Sequence, residues 1–493
     1  MSECVNFIDG EWVPSATGRF RDNLNPATGE VLGQVTQSDE GDLDRAVAAA
    51  VAAQQKWRLV PAPERADVLY RAGQLLKERK EELSQVLTKE MGKVIAEARG
   101  EVQEGIDMAF FMAGEGRRLV GDTTPSELPN KFAMSVRAPV GIAGLITPWN
   151  FPIAIATWKA FPAIVGGNAV VWKPATETPV LANMLVGILE EAGLPKGVMN
   201  LVYGSGQVVG EAMVEHPDID IISFTGSTEI GRSVAEKGGR HLKRVSLEMG
   251  GKNGIIVMDD ADLKLAVDGI IWSGYGTSGQ RCTAASRVIV HRAVKEQLEE
   301  MLLERIRNLT LGNGLDESVD VGPVINPSAL NKIHGYVKIG KEEGARLLCG
   351  GEVADTGELA KGHFYQPTLF TDVEPFMRIA QEEIFGPVIS IIPVDSLDEA
   401  IKVNNSVAYG LSSSIFTQDV NRVFTAMRDL DTGIVYVNAG TTGAEIHLPF
   451  GGTKGTGNGH RDSGIAALDV FTEWKSVYVD YSGTLQRAQI DNN

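Results

Sequence analysis

Apolar and polar positions alternate along this chain with two different periods. Between residues 40 and 116 apolar side chains recur at helical spacing among charged ones, as in DLDRAVAAAVAAQQKW and ERADVLYRAGQLLKERKEELSQVLTKEMGK. Leu69, Leu75, Leu76, Leu83 and Leu87 share one face, so the segment is predicted to be a set of packed amphipathic helices. From residue 138 onward short β-rich runs (VGIAGLIT, AVVWKP, MNLVYG, IDIISFTG, RVSLEMGG) alternate with amphipathic stretches. βαβ units produce this alternation, and a parallel, doubly wound sheet is expected. A second α/β series follows, with a helix over 262–275, a strand over 286–291, a helix over 293–308 and later strands in PVISIIPV and GIVYVN. Residues 118–139 and the tail WKSVYVDYSG (474–483) fit neither series. Trp474, Val477, Val479 and Tyr481 make the tail a strand in need of a neighbour; both pieces are expected to be exposed arms used in self-association, the alternative being a strand on the chain's own sheet.

Composition narrows the class. At 493 residues the chain exceeds what one core organises, so two or three domains are expected. No apolar run approaches the roughly 20 residues of a membrane span, and the start MSECVNFIDGEW lacks the basic and apolar regions of a secretory signal. A cytoplasmic protein with no membrane partner is expected. The net charge of −18, without a Lys/Arg block, repels phosphate backbones and argues against a nucleic-acid partner. Three distant cysteines, Cys4, Cys282 and Cys349, fit a reducing compartment, and neither they nor the histidines have metal-ligand spacing, so no metal is assigned.

Chemistry concentrates in a few places. Cys282 sits in SGYGTSGQRCTAASR, a charge-poor run that reads as a flexible turn of small residues and suits a nucleophile. A thiol with an ordinary pKa of about 8.5 needs help to ionise, and Arg281 and Glu248 are the candidate helpers. Glu248, in SLEMGGKN, is flanked by Leu247, Met249 and glycines rather than by cations. Desolvation there would raise its pKa toward that of a general base; the structural alternative is a salt-bridged strand-end glutamate. Asn150, in TPWNFP, offers an uncharged amide donor for an oxyanion, or else is a turn asparagine. IDIISFTGSTEIG (219–231) reads as strand, tight turn and helix start, where Gly226 and Ser227 would let a pyrophosphate approach free N–H groups. It is not GxGxxG, and Gly204, Gly206 and Gly210 miss that spacing too. Lys173 ends the strand AVVWK, where open α/β sheets bind ligands, and could grip ribose hydroxyls or a phosphate. Cys4, near a frayed terminus, and Cys349 read as structural; His447 and His460 lie in a Gly-rich loop that could line a cleft.

Taken in order, TPWNFP, KPATETP, FTGSTEIG, LEMGGK, GQRC and EEIFGPV (382–388) resemble the aldehyde dehydrogenase superfamily, from FIDGEW to the C-terminal tail. The resemblance implies an α/β fold of two doubly wound Rossmann-like domains, cofactor and catalytic, plus a small β oligomerisation arm. Their expected bounds are 1–117 with 140–249 for the NAD(P)-binding domain, 250–449 for the catalytic domain, and 118–139 with 450–493 for the arm and C-terminal segment. It implies Cys282 as the nucleophile that forms a thiohemiacetal and then a thioester, Asn150 with the Cys282 N–H as the oxyanion hole, and Glu248 as the base for deacylation. Implied cofactor positions are Thr147, Pro148, Trp149, Lys173, Thr176, Gly206, Gly210, Phe224, Gly226, Ser227, Gly250, Glu383 and Phe385.

The relatives most selective for NAD carry a glutamate three residues after the lysine, where this chain has Thr176. Glu177 is adjacent but is expected to aim elsewhere, so dual or NADP-leaning use follows. GQRCTAASR and WNFPIAIATWK are most similar to α-ketoglutaric semialdehyde (2,5-dioxopentanoate) dehydrogenases, and GAEIHLPFGGTKGTGNG (443–459) also resembles the α-aminoadipic semialdehyde branch. Both substrates carry a distal carboxylate. Arg281, Arg287 and the backbone of 440–445 are the candidate anchors, with an internal ion pair as the alternative for each arginine; Phe151, Trp158 and Phe450 are the expected apolar walls. The resemblance implies a homodimer or homotetramer. Competing readings are a broad-specificity or CoA-acylating enzyme, or a non-catalytic protein on the same scaffold.

Overall fold

A computed structural model describes residues 2–490. Met1 and residues 491–493, which fall inside the expected first and last ranges, lie outside the described residues. The helical periodicity of 40–116 resolves into four helices, Glu40–Trp57, Ala62–Glu78, Lys80–Met91 and Ile95–Glu115. Leu69, Leu76, Leu83 and Leu87 are buried as the pattern requires, and Leu75 is half-buried at the edge of that face.

The first sheet has seven strands in the order Arg244–Glu248, Ile221–Thr225, Ile142–Ile146, Ala169–Lys173, Met199–Leu201, Asn6–Ile8 and Glu11–Val13. Its first five strands are parallel. Counted along the chain, these five run 5-4-1-2-3 across the sheet, so winding reverses between Ile142–Ile146 and Ile221–Thr225. That reversal opens a crevice at the strands' carboxyl ends, where doubly wound sheets take their ligands. The remaining two strands form an antiparallel hairpin through Asp9 and Gly10, both at positive φ, as a tight Asp-Gly hairpin turn requires.

The second sheet orders Arg346–Cys349, Thr368–Thr371, Val388–Val394, Ala285–His291, Asn253–Val257, Ser412–Phe416 and Ile434–Val437, all parallel except the first. The expected helices appear as Leu263–Tyr275 and Lys295–Arg307, the latter preceded by a short 3-10 turn. The architecture is α/β with two Rossmann-like sheets, joined by the short stretch 249–252 between the strand ending at Glu248 and the one starting at Asn253.

The two unplaced segments pair with each other. Thr472–Asp480 runs antiparallel to Lys131–Pro139 in continuous register from Thr472↔Pro139 to Asp480↔Lys131, and Thr123–Pro125 flanks the other side. Phe132, Trp474, Tyr478, Val479 and Tyr481 are exposed on or beside this small sheet. One expectation fails at the N-terminus. Ser2–Cys4 pairs with Val31–Thr36, and Cys4 is buried rather than frayed, because a second small sheet packs it against the helical layer. Among the described residues no helix is long and apolar enough to cross a membrane.

Candidate active site

Strand register puts the candidate residues on one rim. Thr225 lies opposite Glu248, Phe224 opposite Ile146, and Ile146 opposite Lys173, so Glu248, Gly226, Thr147 and Lys173 all leave the carboxyl edge of the first sheet. Ser227 caps the helix Thr228–Arg240 by accepting from the Ile230 N–H, which leaves that helix's N-terminus at the crevice. The loop with Asn150 is held from beneath. Lys93 Nζ donates to the Asn150 carbonyl at 2.8 Å and to Glu101 at 2.6 Å, while the other Glu101 oxygen accepts from the N–H groups of Ile153 and Ala154. Asn150 Nδ2 donates to the Gln280 carbonyl at 3.1 Å, tying this loop to the segment before Cys282.

That segment is not the flexible turn expected from its composition. Residues 276–281 are buried, with Thr277 and Ser278 at positive φ. Glu97 accepts from the Thr277 N–H and hydroxyl and pairs with Arg281 at 3.0 Å; Ser278 donates to the Gly322 carbonyl, and Gln280 Oε1 accepts from the Ile325 N–H. Small residues are used here for close packing and left-handed backbone. Cys282 keeps some exposed surface but lies deep in the cleft, and burial first, then the Glu248 and Glu383 carboxylates, pushes its thiol up to about 12. Arg281 is spent on Glu97 and stacks over Trp272, so its cation is not free to assist the thiol.

Glu248 is 3% exposed, and neither carboxylate oxygen has a hydrogen-bond partner among the described residues. Burial, reinforced by Asp462, holds its carboxyl well above the ordinary range, against the opposing pull of Lys159 and Arg461. Lys159 lies in the wholly buried helix Ala154–Gly166 and bridges Asp462 at 2.7 Å and the Ser223 hydroxyl at 2.9 Å.

Two cavities meet at the thiol. One, of about 260 Å³, is lined by Glu104, Phe151, Trp158, Glu248, Trp272, Arg281, Cys282, Thr442 and Phe450, with Trp158 and Phe450 rings 5.0 Å apart. The other, of about 300 Å³, is lined by Pro148, Trp149, Asn150, Gly226, Ser227, Gly250, Cys282, Glu383 and Phe385. In it Trp149 and Phe385 meet edge to face at 5.7 Å, and Glu383 accepts from the Gly251 N–H at 2.9 Å. A Cβ on Gly250 would stand 2.4 Å from a Glu383 oxygen, so glycine there is what admits the carboxylate. An aromatic pair, a half-buried carboxylate and a helix N-terminus fit the nicotinamide, ribose and pyrophosphate of a dinucleotide.

The remaining positions are distributed around this centre. Thr147 and Phe224 are buried behind the cavity, and the Thr147 hydroxyl accepts from Trp172 Nε1. Gly210 packs beside Lys173, where a Cβ would stand 3.6 Å from Lys173 Cε; Gly206 opens the short helical turn that Gly210 closes, and Thr176 follows Lys173 in the loop after the strand. Burial pulls the Lys173 ammonium down to about 8, with Glu177 opposing. Glu177 therefore does not aim away from the site, since its carboxylate also accepts from the Thr176 hydroxyl at 3.2 Å. Arg287 is buried among the carbonyls of Lys252, Val403 and Asn404 and lines neither cavity; nor do His447 and His460. Sequence reasoning missed Asp462, Lys159, Glu97, Lys93 and Glu101. Each acts through a partner distant in the chain, up to the 303 residues separating Lys159 from Asp462, and no local pattern announces it.

Comparison with known proteins agrees with this geometry. Residues 12–477 match the profile of the aldehyde dehydrogenase family. The alpha-ketoglutaric semialdehyde dehydrogenase of Bacillus subtilis is 44% identical over 96% of this chain and 98% of its own. The alpha-ketoglutarate semialdehyde dehydrogenase of Haloferax volcanii is 44% identical over 97% and 99%. The crystal structure of betaine aldehyde dehydrogenase from Staphylococcus aureus in complex with NAD+ superposes with a TM-score of 0.96 at 34% identity, covering 98% of this chain and 95% of that one.

Proposed function

Since the chain belongs to the aldehyde dehydrogenase family and so carries out NAD(P)-dependent aldehyde oxidation, we propose that its substrate is a small semialdehyde with a distal carboxylate, α-ketoglutaric semialdehyde foremost. The observation that carries the reading is the meeting of two cavities at Cys282, one holding Glu248 and the other Glu383. Glu248 takes the Cys282 proton, and the sulfur adds to the aldehyde carbon. The oxygen of the resulting thiohemiacetal is held by Asn150 Nδ2 and the Cys282 N–H. Trp149, Glu383 and Phe385 would hold an oxidised nicotinamide beside Cys282, and that group would supply the acceptor for the hydride that the thiohemiacetal carbon loses in becoming the thioester. Glu248 passes that first proton to solvent, takes another from the water that attacks the Cys282 thioester, and returns it to the departing thiolate, which releases the carboxylic acid and the free thiol. With this base present, water rather than CoA is the acyl acceptor.

Phe151, Trp158 and Phe450 form the apolar wall of the substrate cavity, and Arg281 lies along it with its charge shared by Glu97. The buried Trp158 Nε1 and Thr442 Oγ1 have no partner among the described residues and are the donors left for a distal carboxylate. A second reading, a semialdehyde that also carries an ammonium, is favoured by Glu104, a carboxyl on the cavity wall that forms no ion pair among the described residues. The first sheet with the helices of 1–117 acts as the cofactor unit, the second sheet (250–449) as the catalytic unit, and the small β arm assembles a homo-oligomer.

Cys282→Ala is expected to abolish NAD(P) reduction, and retention of it would overturn the covalent route. Assay of aldehydes of equal length, uncharged, carboxylated or aminated, with and without CoA, should rank the carboxylated semialdehyde highest in kcat/KM. Equal turnover of the uncharged compound would overturn the substrate reading, and acyl-CoA formation would overturn hydrolysis.

A further inference from the structure

The rim neighbourhood around Lys173 carries a feature that the catalytic reading does not use. Thr176 Oγ1 accepts a hydrogen bond from Arg21 Nη1 at 3.1 Å and donates one to Glu177 Oε2 at 3.2 Å, so one hydroxyl stands between a cation and an anion. Arg21 comes from the strand Phe20–Leu24 of the small N-terminal sheet, 155 residues earlier in the chain. It is exposed and forms no ion pair among the described residues, so its guanidinium is available at the cost of a single hydrogen bond to a neutral group. Glu177, from the segment that follows the strand Ala169–Lys173, shares its field with Lys173.

We infer that Arg21 recognises the 2′-phosphate of NADP and Glu177 the free 2′-hydroxyl of NAD, so that one chain accepts both cofactors through opposite sides of Thr176. The inference rests on placing the adenosine ribose at Lys173 and Thr176. A guanidinium presents paired N–H donors that match phosphate oxygens. A carboxylate accepts from a ribose hydroxyl but repels a phosphate dianion. The Thr176 hydroxyl is neutral and donates to either group, which is why threonine can serve at this position for both cofactors. The N-terminal sheet thereby contributes to cofactor choice, although it belongs to neither large sheet.

Calorimetric titration with adenosine 2′,5′-bisphosphate and with 5′-AMP reads this without turnover. In Arg21→Ala the affinity for the bisphosphate is expected to fall about ten- to hundredfold, the scale of charge-assisted hydrogen bonds, with 5′-AMP unchanged. Arg21→Lys should fall between, because an ammonium lacks the paired donors. Glu177→Gln should tighten the bisphosphate and weaken 5′-AMP. The unmodified protein's preference for the bisphosphate should shrink as salt is raised, a dependence lost in Arg21→Ala. An unchanged ratio of the two affinities in Arg21→Ala would overturn the inference and leave the cofactor cleft standing. Indifference of 5′-AMP binding to Lys173→Ala would overturn the placement of the ribose, and the inference with it.

Discussion

Burial sets the charge state of the two groups proposed to react before any ligand arrives. Cys282 and Glu248 are both pushed up, and each is reactive only when deprotonated, so the active fraction grows as pH rises through their folded pKa values. We expect kcat/KM to climb from pH about 6 to about 9 rather than to peak near neutrality; a flat profile over that range would contradict the assignment of the two groups. Because the Glu248 carboxylate is one of the charges that raises the thiol, Glu248→Gln should lower the Cys282 pKa while slowing deacylation. The rate of iodoacetamide alkylation against pH would show the first effect and accumulation of acyl-enzyme the second. At this scale the sequence was informative where chemistry is local: a thiol among small residues, a carboxylate without basic neighbours, an amide between aromatics. It was silent on Asp462, Lys159 and Glu97, which act across the fold, and its composition misled at 276–281, where small residues mark tight packing instead of mobility.

The elements beneath the site act as struts. Lys93 and Glu101, fully buried and paired, hold up the loop that presents Asn150, and the Lys93 ammonium also lies 3.7 Å from the Phe151 ring centroid. Removing one partner of a buried pair leaves an uncompensated charge at a cost of about 3–5 kcal/mol. Lys93→Met should therefore lower the denaturation midpoint clearly, and Lys93→Met with Glu101→Leu should not regain full activity even if stability partly returns, since the Ile153 and Ala154 N–H groups lose their acceptor. Kinetics and urea unfolding on the two variants would separate these effects. Long periodic helices and five-residue buried strands were legible from the chain because their patterns repeat several times. The three-residue strands Ser2–Cys4, Asn6–Ile8 and Glu11–Val13 were not, since a period of two cannot establish itself over so few positions; only Asp9-Gly10 marks the turn.

For the whole molecule, the small sheet built from Lys131–Pro139 and Thr472–Asp480 leaves apolar side chains in water that a monomer has no reason to expose. Tyr478→Asp with Val479→Lys should shift the protein to a smaller species in light scattering while leaving both large sheets folded by circular dichroism. An unchanged mass would remove this sheet from the proposed assembly. A different consequence follows from the four residues between the sheets, Met249 to Lys252, where the Met249 N–H is held by the Thr456 carbonyl and the Gly251 N–H by Glu383. Glu248 closes one sheet just before this stretch, and Cys282 belongs to the other half, just ahead of the strand Ala285–His291. With the roles proposed for Glu248 and Cys282, the two halves are not interchangeable cassettes: a chimaera spliced at this junction would draw its proposed base from one parent and its proposed nucleophile from the other, and recombination between relatives should be tolerated there only when both parents aim these groups at the same point.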